Sequence, residues 1–252
     1  MSQKDKAMMF RSLHRAGAPL VLYNIWDAGG AKALADAGAP AVATGSWSVA
    51  AAHGFADGEA IPLDLLLVIV GRIVRSVDVP VSVDFEGGYA SDAAGLAANV
   101  ARLIRTGAVG INFEDRIVRG EGLYPVEVQA ARIRAIREAA READLPLFIN
   151  ARTDLFLNAD PAAQEGCVAE ALHRAEAYAA AGADGFFVPG LTDHGLIRAI
   201  TSSVRLPVNV MMMGALGRIS DAAALGVARA SYGPGPYRTA MTELAARYRA
   251  LT

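Results

Sequence analysis

A single cysteine, Cys167, stands among 252 residues, which excludes an internal disulfide framework and a thiolate metal cluster. Lysine is almost as scarce. Lys4, Lys6 and Lys32 are the whole supply, and none closes an apolar run. A Schiff-base aldolase or a pyridoxal phosphate enzyme needs a lysine there, so both classes are disfavoured. Long apolar stretches are also missing: none approaches the roughly 20 residues that span a bilayer. The N-terminal segment lacks the uninterrupted apolar core of a signal peptide. No membrane partner is expected, and the cytoplasm is the expected location. A formal net charge of −2 offers no electrostatic reason to expect nucleic acid.

What is abundant is apolar material, 53% of the chain against 20% charged residues, enough for one large core and the opposite of a disordered composition. Short β-branched runs recur at 20–23, 41–44, 81–84, 109–113, 147–150, 185–188, 207–210 and 228–232. Near-continuous apolar runs suit strands buried on both faces of a parallel sheet. Between them lie amphipathic segments such as 31–38, 93–107, 126–143 and 165–182. Over 126–143, Val128, Ala131, Ile133, Ile136 and Ala140 form an apolar stripe, with Arg132, Arg134, Arg137 and Glu138 opposite. Gly38, Gly107 and Gly182 end such segments as left-handed caps. Eight strand-then-helix units and no linker predict one domain over 1–252, a single-domain (β/α)8 TIM barrel. A doubly wound sheet is the main alternative.

Catalytic groups of such a barrel sit at the C-terminal ends of its strands. Those ends supply Asn24, Asp27, the turn Gly45-Ser46-Trp47, then Asp84, Glu86, Glu114 and Asp115. Asn150, Arg152, Asp154, Pro189, Asn209 and Ser231 follow. Asp84, Glu86 and Glu114 near one mouth would repel one another unless protons or a cation neutralised them. Oxygen ligands without His or Cys suit Mg²⁺, or Mn²⁺. The competing reading has one or two of these acids capping helix N-termini. Arg152 is placed to hold a substrate carboxylate or phosphonate through paired hydrogen bonds, with Asp154 or Glu114 as its structural partner.

Taken as an ordered set, Asn24-Ile25-Trp26-Asp27-Ala28, Thr44-Gly45-Ser46, Val83-Asp84-Phe85-Glu86-Gly87-Gly88-Tyr89, Gly110-Ile111-Asn112-Phe113-Glu114-Asp115 and Asn150-Ala151-Arg152-Thr153-Asp154 resemble the isocitrate lyase/phosphoenolpyruvate mutase superfamily. The form with Glu86 looks most like its short, phosphonomutase-like branch. The resemblance implies Mg²⁺ held by Asp84, with Glu86, Glu114 and Asp57 reaching it directly or through water. It implies Ser46, Trp47 and Arg152 around the oxygens of a small carboxylate substrate; Asp84 and the strand-end Asn209 join them as substrate-binding candidates, with Arg152 and Glu114 as the catalytic pair. The reaction expected is lyase chemistry on a 2-oxo or 2-hydroxy acid through an enolate, with C–P mutase or hydrolase chemistry and a non-catalytic binding barrel as alternatives. A homo-oligomer, dimer or tetramer, is implied too, although only 239–251 remains for a final helix that relatives exchange.

The departures from the family are as informative. Its lyases carry a K-[KR]-C-G-H loop after the E-D pair, and here residues 116–125 contain neither Cys nor His. The mutase loop with its Lys, Asn and Ser is absent as well, and Pro189 stands where the mutase has His. Arg119, Glu121 and Tyr124 are the groups left to serve in a lid. Decarboxylation of an oxaloacetate-like acid asks least of the missing loop. Elsewhere, Cys167 reads as a packing residue inside a helix, His173 and His194 as surface or capping residues, and Met211-Met212-Met213 as either an apolar pocket wall or strand-end packing. His53, in the second loop, could approach the mouth, but a role there is the less favoured reading. The Arg-rich stretch 132–141 reads as a solvated helix face, and Ser231-Tyr232-Gly233-Pro234 as a weak phosphate-binding turn.

Overall fold

A computed structural model describes residues 1–251. Eight parallel strands form the sheet: β1 (Leu20–Leu22), β2 (Val42–Ala43), β3 (Val81–Asp84), β4 (Gly110–Glu114), β5 (Phe148–Arg152), β6 (Gly185–Val188), β7 (Val208–Met211) and β8 (Arg229–Ser231). From β2 to β8 every strand pairs with its sequence neighbour, and β8 returns to pair with β1. The seam between β1 and β2 is closed just above β1 by one parallel bridge, Ile25 to Thr44. Parallel strands need a crossover between them, and helices supply it throughout. The predicted (β/α)8 barrel is therefore the observed fold, with all eight strands within a few residues of their expected places.

Helix ends follow local chemistry. Asp27, Asp92 and Asp193 each accept the third backbone N–H of the helix that follows, at 2.7, 2.9 and 2.9 Å. Gly107 turns at φ 97°, and a Cβ there would come within 2.6 Å of Val74, so glycine is required on two counts.

The barrel interior has two differently built ends. Helix Gln3–Ser12 closes the N-terminal end. Phe10 is fully buried and packs edge-on to Phe148, while His14 stacks on the same ring with centroids 4.1 Å apart. A Cβ on Gly110 would meet Phe10 at 2.9 Å, so this strand residue must be bare to admit the plug. Above the plug, alternate residues of the strands point inward. Here they are polar: Asn112, Asn150, Asn209 and Arg229, each no more than 4% exposed.

Three expectations change. Along helix Val126–Glu142 the buried stripe includes Gln129 and Arg132, whereas Val128 is 42% exposed. The Arg132 guanidinium donates to the carbonyls of Gly87 and Ala90 and lies 4.1 Å over the Tyr124 ring, and a flat cation so satisfied can be buried. Arg137 is likewise turned inward, donating to Leu147 O and Gly182 O. Cys167 lies at a junction of two helix types and not inside the α-helix. It is the half-buried last residue of the 3₁₀ turn Pro161–Cys167, because Pro161 and the Asp160 cap start a tighter turn before the α-helix Val168–Ala180. The final helix begins earlier than expected, at Gly235–Arg249, and leaves Leu244 and Tyr248 more than 60% exposed. Among the described residues no helix is long and apolar enough to cross a membrane.

Candidate active site

At the C-terminal rim the strands surround a cavity of about 200 Å³. Ser46, Trp47, Asp57, Asp84, Asn112 and Arg152 line its polar side, and Phe187, Pro189 and Met211 its apolar wall. Asp84 ends β3. Its Oδ2 accepts from the backbone N–H and hydroxyl of Ser46, at 3.1 and 2.9 Å, while its Oδ1 is buried with no partner. A buried carboxylate oxygen left unpaired is costly, and a cation is the partner such an atom fits. Asp57 sits on an exposed loop yet lines the same cavity. Desolvation of its carboxyl, then the neighbouring Asp84, raise its pKa.

Glu86 is placed differently. Its carboxylate accepts the backbone N–H of Gly58 at 3.0 Å and of Glu59 at 3.1 Å, and the Tyr89 hydroxyl lies 3.4 Å away. Burial, then Asp84 and Asp57, push its pKa up to about 7. Glu59 accepts the Tyr89 backbone N–H at 2.7 Å in return. Glu59, Glu86 and Tyr89 all have positive φ, at 56°, 49° and 58°. Backbone strain of this kind persists where surrounding contacts over-determine it, and it gathers at functional sites.

Arg152 ends β5 and is gripped from two sides. Nε and Nη2 donate to the two oxygens of Asp154 at 2.6 and 3.0 Å, and Nη1 lies 3.2 Å from Glu114 Oε2. Burial opposes its charge, but Glu114 and Asp154 more than offset that and keep it a cation. For Glu114 burial dominates and raises its pKa, with Arg152 acting in the opposite direction. The next residue, Asp115, faces away from the mouth. It accepts from Asp154 N, Arg174 and Tyr178, locking β4 and β5 to a helix.

None of Asp84, Glu86 and Glu114 is the N-cap residue of the helix that follows it; Asp92 has that place after β3, and Asp27, Asp160 and Asp193 cap other helices. Asp84 does accept the first N–H of helix Ser46–Ala52, so its Oδ2 is used at a helix end while its Oδ1 is not. Of the sequence candidates, Ser46, Trp47, Asp57, Asp84 and Arg152 share one cavity. Glu86 and Glu114 stand behind it, and Asn209 lies in the barrel interior, accepting from Ser231 at 3.2 Å. Among the described residues no three His, Cys, Asp or Glu side chains converge as a ready-made metal cage. The fit is to a cation that keeps much of its water, the habit of Mg²⁺.

Trp47 is covered by the final helix, with the Arg238 guanidinium 4.6 Å from its ring. The amides of Tyr232 and Gly233 both donate to Asn24 Oδ1 at 2.9 Å, so the turn read as a phosphate site has already used these donors. The lid segment folds back on itself through a bridge between Arg116 and Leu123. Arg116, Arg119 and Tyr124 line a separate groove of about 430 Å³ over Gly87 and Ala90, and none of them lines the mouth cavity. His53 caps helix Ser46–Ala52 by its backbone and does not line the cavity either. Sequence reasoning passed over Asn112 and Glu59 as site residues, whereas Asp154 is the partner expected for Arg152. The asparagine had a signal: Asn112, Asn150 and Asn209 recur inside three otherwise apolar strands.

The family model for phosphoenolpyruvate phosphomutase matches residues 10–252. An uncharacterised protein of Mycobacterium tuberculosis is 34% identical over 245 residues, 97% of this chain and 89% of its own. An oxaloacetate decarboxylase of Paraburkholderia xenovorans is 32% identical over 167 residues, 64% of this chain and 52% of the relative. Among solved structures, a candidate phosphonomutase from Burkholderia cenocepacia superposes with a TM-score of 0.97 at 50% identity, covering 100% of both chains. A phosphonopyruvate hydrolase solved with oxalate and Mg²⁺ superposes with a TM-score of 0.85 at 23% identity, over 99% of this chain and 88% of that one, a likeness of fold.

Proposed function

The chain belongs to the phosphoenolpyruvate phosphomutase family, and from that premise we propose that it is a Mg²⁺-dependent lyase of a small 2-oxo or 2-hydroxy carboxylic acid. The observation that carries this reading is the meeting of the unpartnered Asp84 Oδ1 and the clamped Arg152 on one small cavity. A volume of about 200 Å³ suits an acid of a few carbons.

Asp84, with Asp57 beside it, would hold the cation, and Glu86 and Glu114 would complete a negative surround. When bound, Mg²⁺ supplies stabilisation of the negative charge that develops as a bond at C3 of the acid breaks. Arg152 holds the substrate carboxylate in a fixed plane, since Asp154 and Glu114 leave it little freedom. Ser46 orients Asp84. Phe187, Pro189 and Met211 exclude water from one wall.

Within the family's chemistry, decarboxylation suits this cavity best. Its lining contains no Cys, His, Lys or Tyr, so the only titratable side chains there are Asp57, Asp84 and Arg152. A retro-aldol cleavage that needs a dedicated lid acid finds none in the lining, whereas decarboxylation leaves an electron pair that water can protonate. The P. xenovorans relative named an oxaloacetate decarboxylase lends support. A second reading, C–P bond chemistry on a phosphonopyruvate-like acid, is favoured by the likeness to the B. cenocepacia structure.

The test is turnover of oxaloacetate and phosphonopyruvate with Mg²⁺, with chelator, and in Asp84→Asn. Metal-dependent loss of oxaloacetate that disappears in the variant supports the reading. Turnover of phosphonopyruvate alone selects the second. Absence of turnover together with absence of any thermal shift from 2-oxo acids sinks both.

A further inference from the structure

Arg229 lies at the centre of the barrel, fully buried, and among the described residues no carboxylate pairs with it. Its Nη2 crosses the interior from β8 to the opposite strand β4 and donates to Asn112 Oδ1 at 3.0 Å. Its Nε donates to Ser231 Oγ at 3.3 Å. A guanidinium carries only donors. The Asn112 atom that faces it must therefore be the carbonyl oxygen, and the asparagine cannot turn over. The same oxygen also accepts from Asn150 Nδ2 at 2.8 Å, which uses both of its lone pairs. Asn112 lines the mouth cavity, and its Nδ2 has no protein partner and is not closed off from the cavity.

Hydroxyls beside it are committed elsewhere. Ser231 accepts from Arg229 and gives its proton to Asn209 Oδ1 at 3.2 Å. Ser46 gives both of its protons to Asp84. The floor of the cavity thus presents the amide N–H group of Asn112, with its direction set by a buried cation that cannot accept.

We propose that Asn112 is a specificity-determining residue that donates to an oxygen of the bound acid at the base of the cavity, and that Arg229 is the positioning residue that fixes it as a donor. This rests on the reading of the mouth as a site for a 2-oxo acid. It narrows the ligand class to acids that present a carboxylate or oxo oxygen to the barrel floor, and it rejects those with a methyl or N–H group there. A buried donor left without an acceptor is penalised by its full desolvation cost, and this is how such a group discriminates.

The probe is oxalate, measured by calorimetry with saturating Mg²⁺, and Mn²⁺ binding without oxalate serves as the control. Asn112→Asp keeps the shape, gives Arg229 an ion pair and replaces the donor with an acceptor. It should weaken oxalate by about 100-fold without weakening Mn²⁺. Arg229→Lys, still an obligate donor, should stay within a few-fold of wild type, and Arg229→Met should lose about 10-fold. Wild-type oxalate affinity in Asn112→Asp overturns the proposal even if Arg229→Met does not fold. Equal losses in Arg229→Lys and Arg229→Met overturn the positioning role. If the wild-type protein itself binds neither oxalate nor any 2-oxo acid, the reading of the site fails and takes this inference with it.

Discussion

The two ends of the barrel bury polar groups in opposite ways. At the N-terminal end His14 Nδ1 donates to Phe10 O at 2.8 Å, and the ring stacks on Phe148 and is kept neutral. Burial, then the charge of Arg229, push its pKa down to about 3. At the mouth, Asp57, Glu59, Glu86 and Glu114 are all shifted upward, burial being the largest cause for each. One end holds its buried imidazole neutral by packing, with His14 Nε2 left unpartnered. The other retains acids that repel one another, an unpartnered Asp84 oxygen and three strained residues. On the proposed function, the difference separates a region built for stability from one left for a ligand to complete.

The sharpest way to break this comparison is Asp84→Asn. It should lower 2-oxo acid turnover by roughly 1,000-fold or more, while the metal-free variant melts no lower than wild type because repulsion is relieved. Initial rates and a melting curve check both halves. A variant that is less stable yet active would reverse the assignment of the two ends. Phe10→Ala should do the converse, costing about 3–5 kcal/mol of stability in urea unfolding with turnover at low temperature unchanged.

The two ends should also respond to pH with opposite sign. For Glu86 the folded pKa near 7 exceeds the unfolded value of 4.5, so the native state binds more protons in that window. Stability of the metal-free protein should fall between about pH 4.5 and 7, by up to about 3 kcal/mol from this group. For His14 the folded pKa near 3 lies below 6.5, so its contribution is complete above about pH 6.5 and is lost as pH falls toward 3. Unfolding midpoints of Glu86→Gln and His14→Gln across pH 4–8 should each flatten one limb. Mg²⁺ should raise the midpoint more at pH 8 than at pH 5. Smallest is Arg152→Lys, which keeps the charge and loses the paired geometry; kcat/KM should fall by about 10- to 100-fold.

Much of this was legible in local pattern. Strand runs, glycine caps and the order of strand-end acids placed Asp84, Ser46, Trp47 and Arg152 around one opening, because each strand carries its own C-terminal residues to the same rim; Asp57, in a loop, was implied by the family resemblance alone. Pattern failed where partners come from far away. Arg132 read as solvent-facing because nothing local announces the Gly87 and Ala90 carbonyls, more than 40 positions earlier, that receive it. Glu86 read as an equivalent of Asp84, yet it holds loop amides, whereas Glu114 grips Arg152 as one of its two expected partners.

The sequence by itself determined the barrel, since hydrophobic periodicity and glycine caps act over a few residues and need no distant partner. It also determined which chemical groups reach the mouth. Only the tertiary structure decided which of them remain free to act. A hydrogen bond consumes a donor and an acceptor wherever in the chain they originate, and Arg229 commits the carbonyl of Asn112 across 117 positions of sequence.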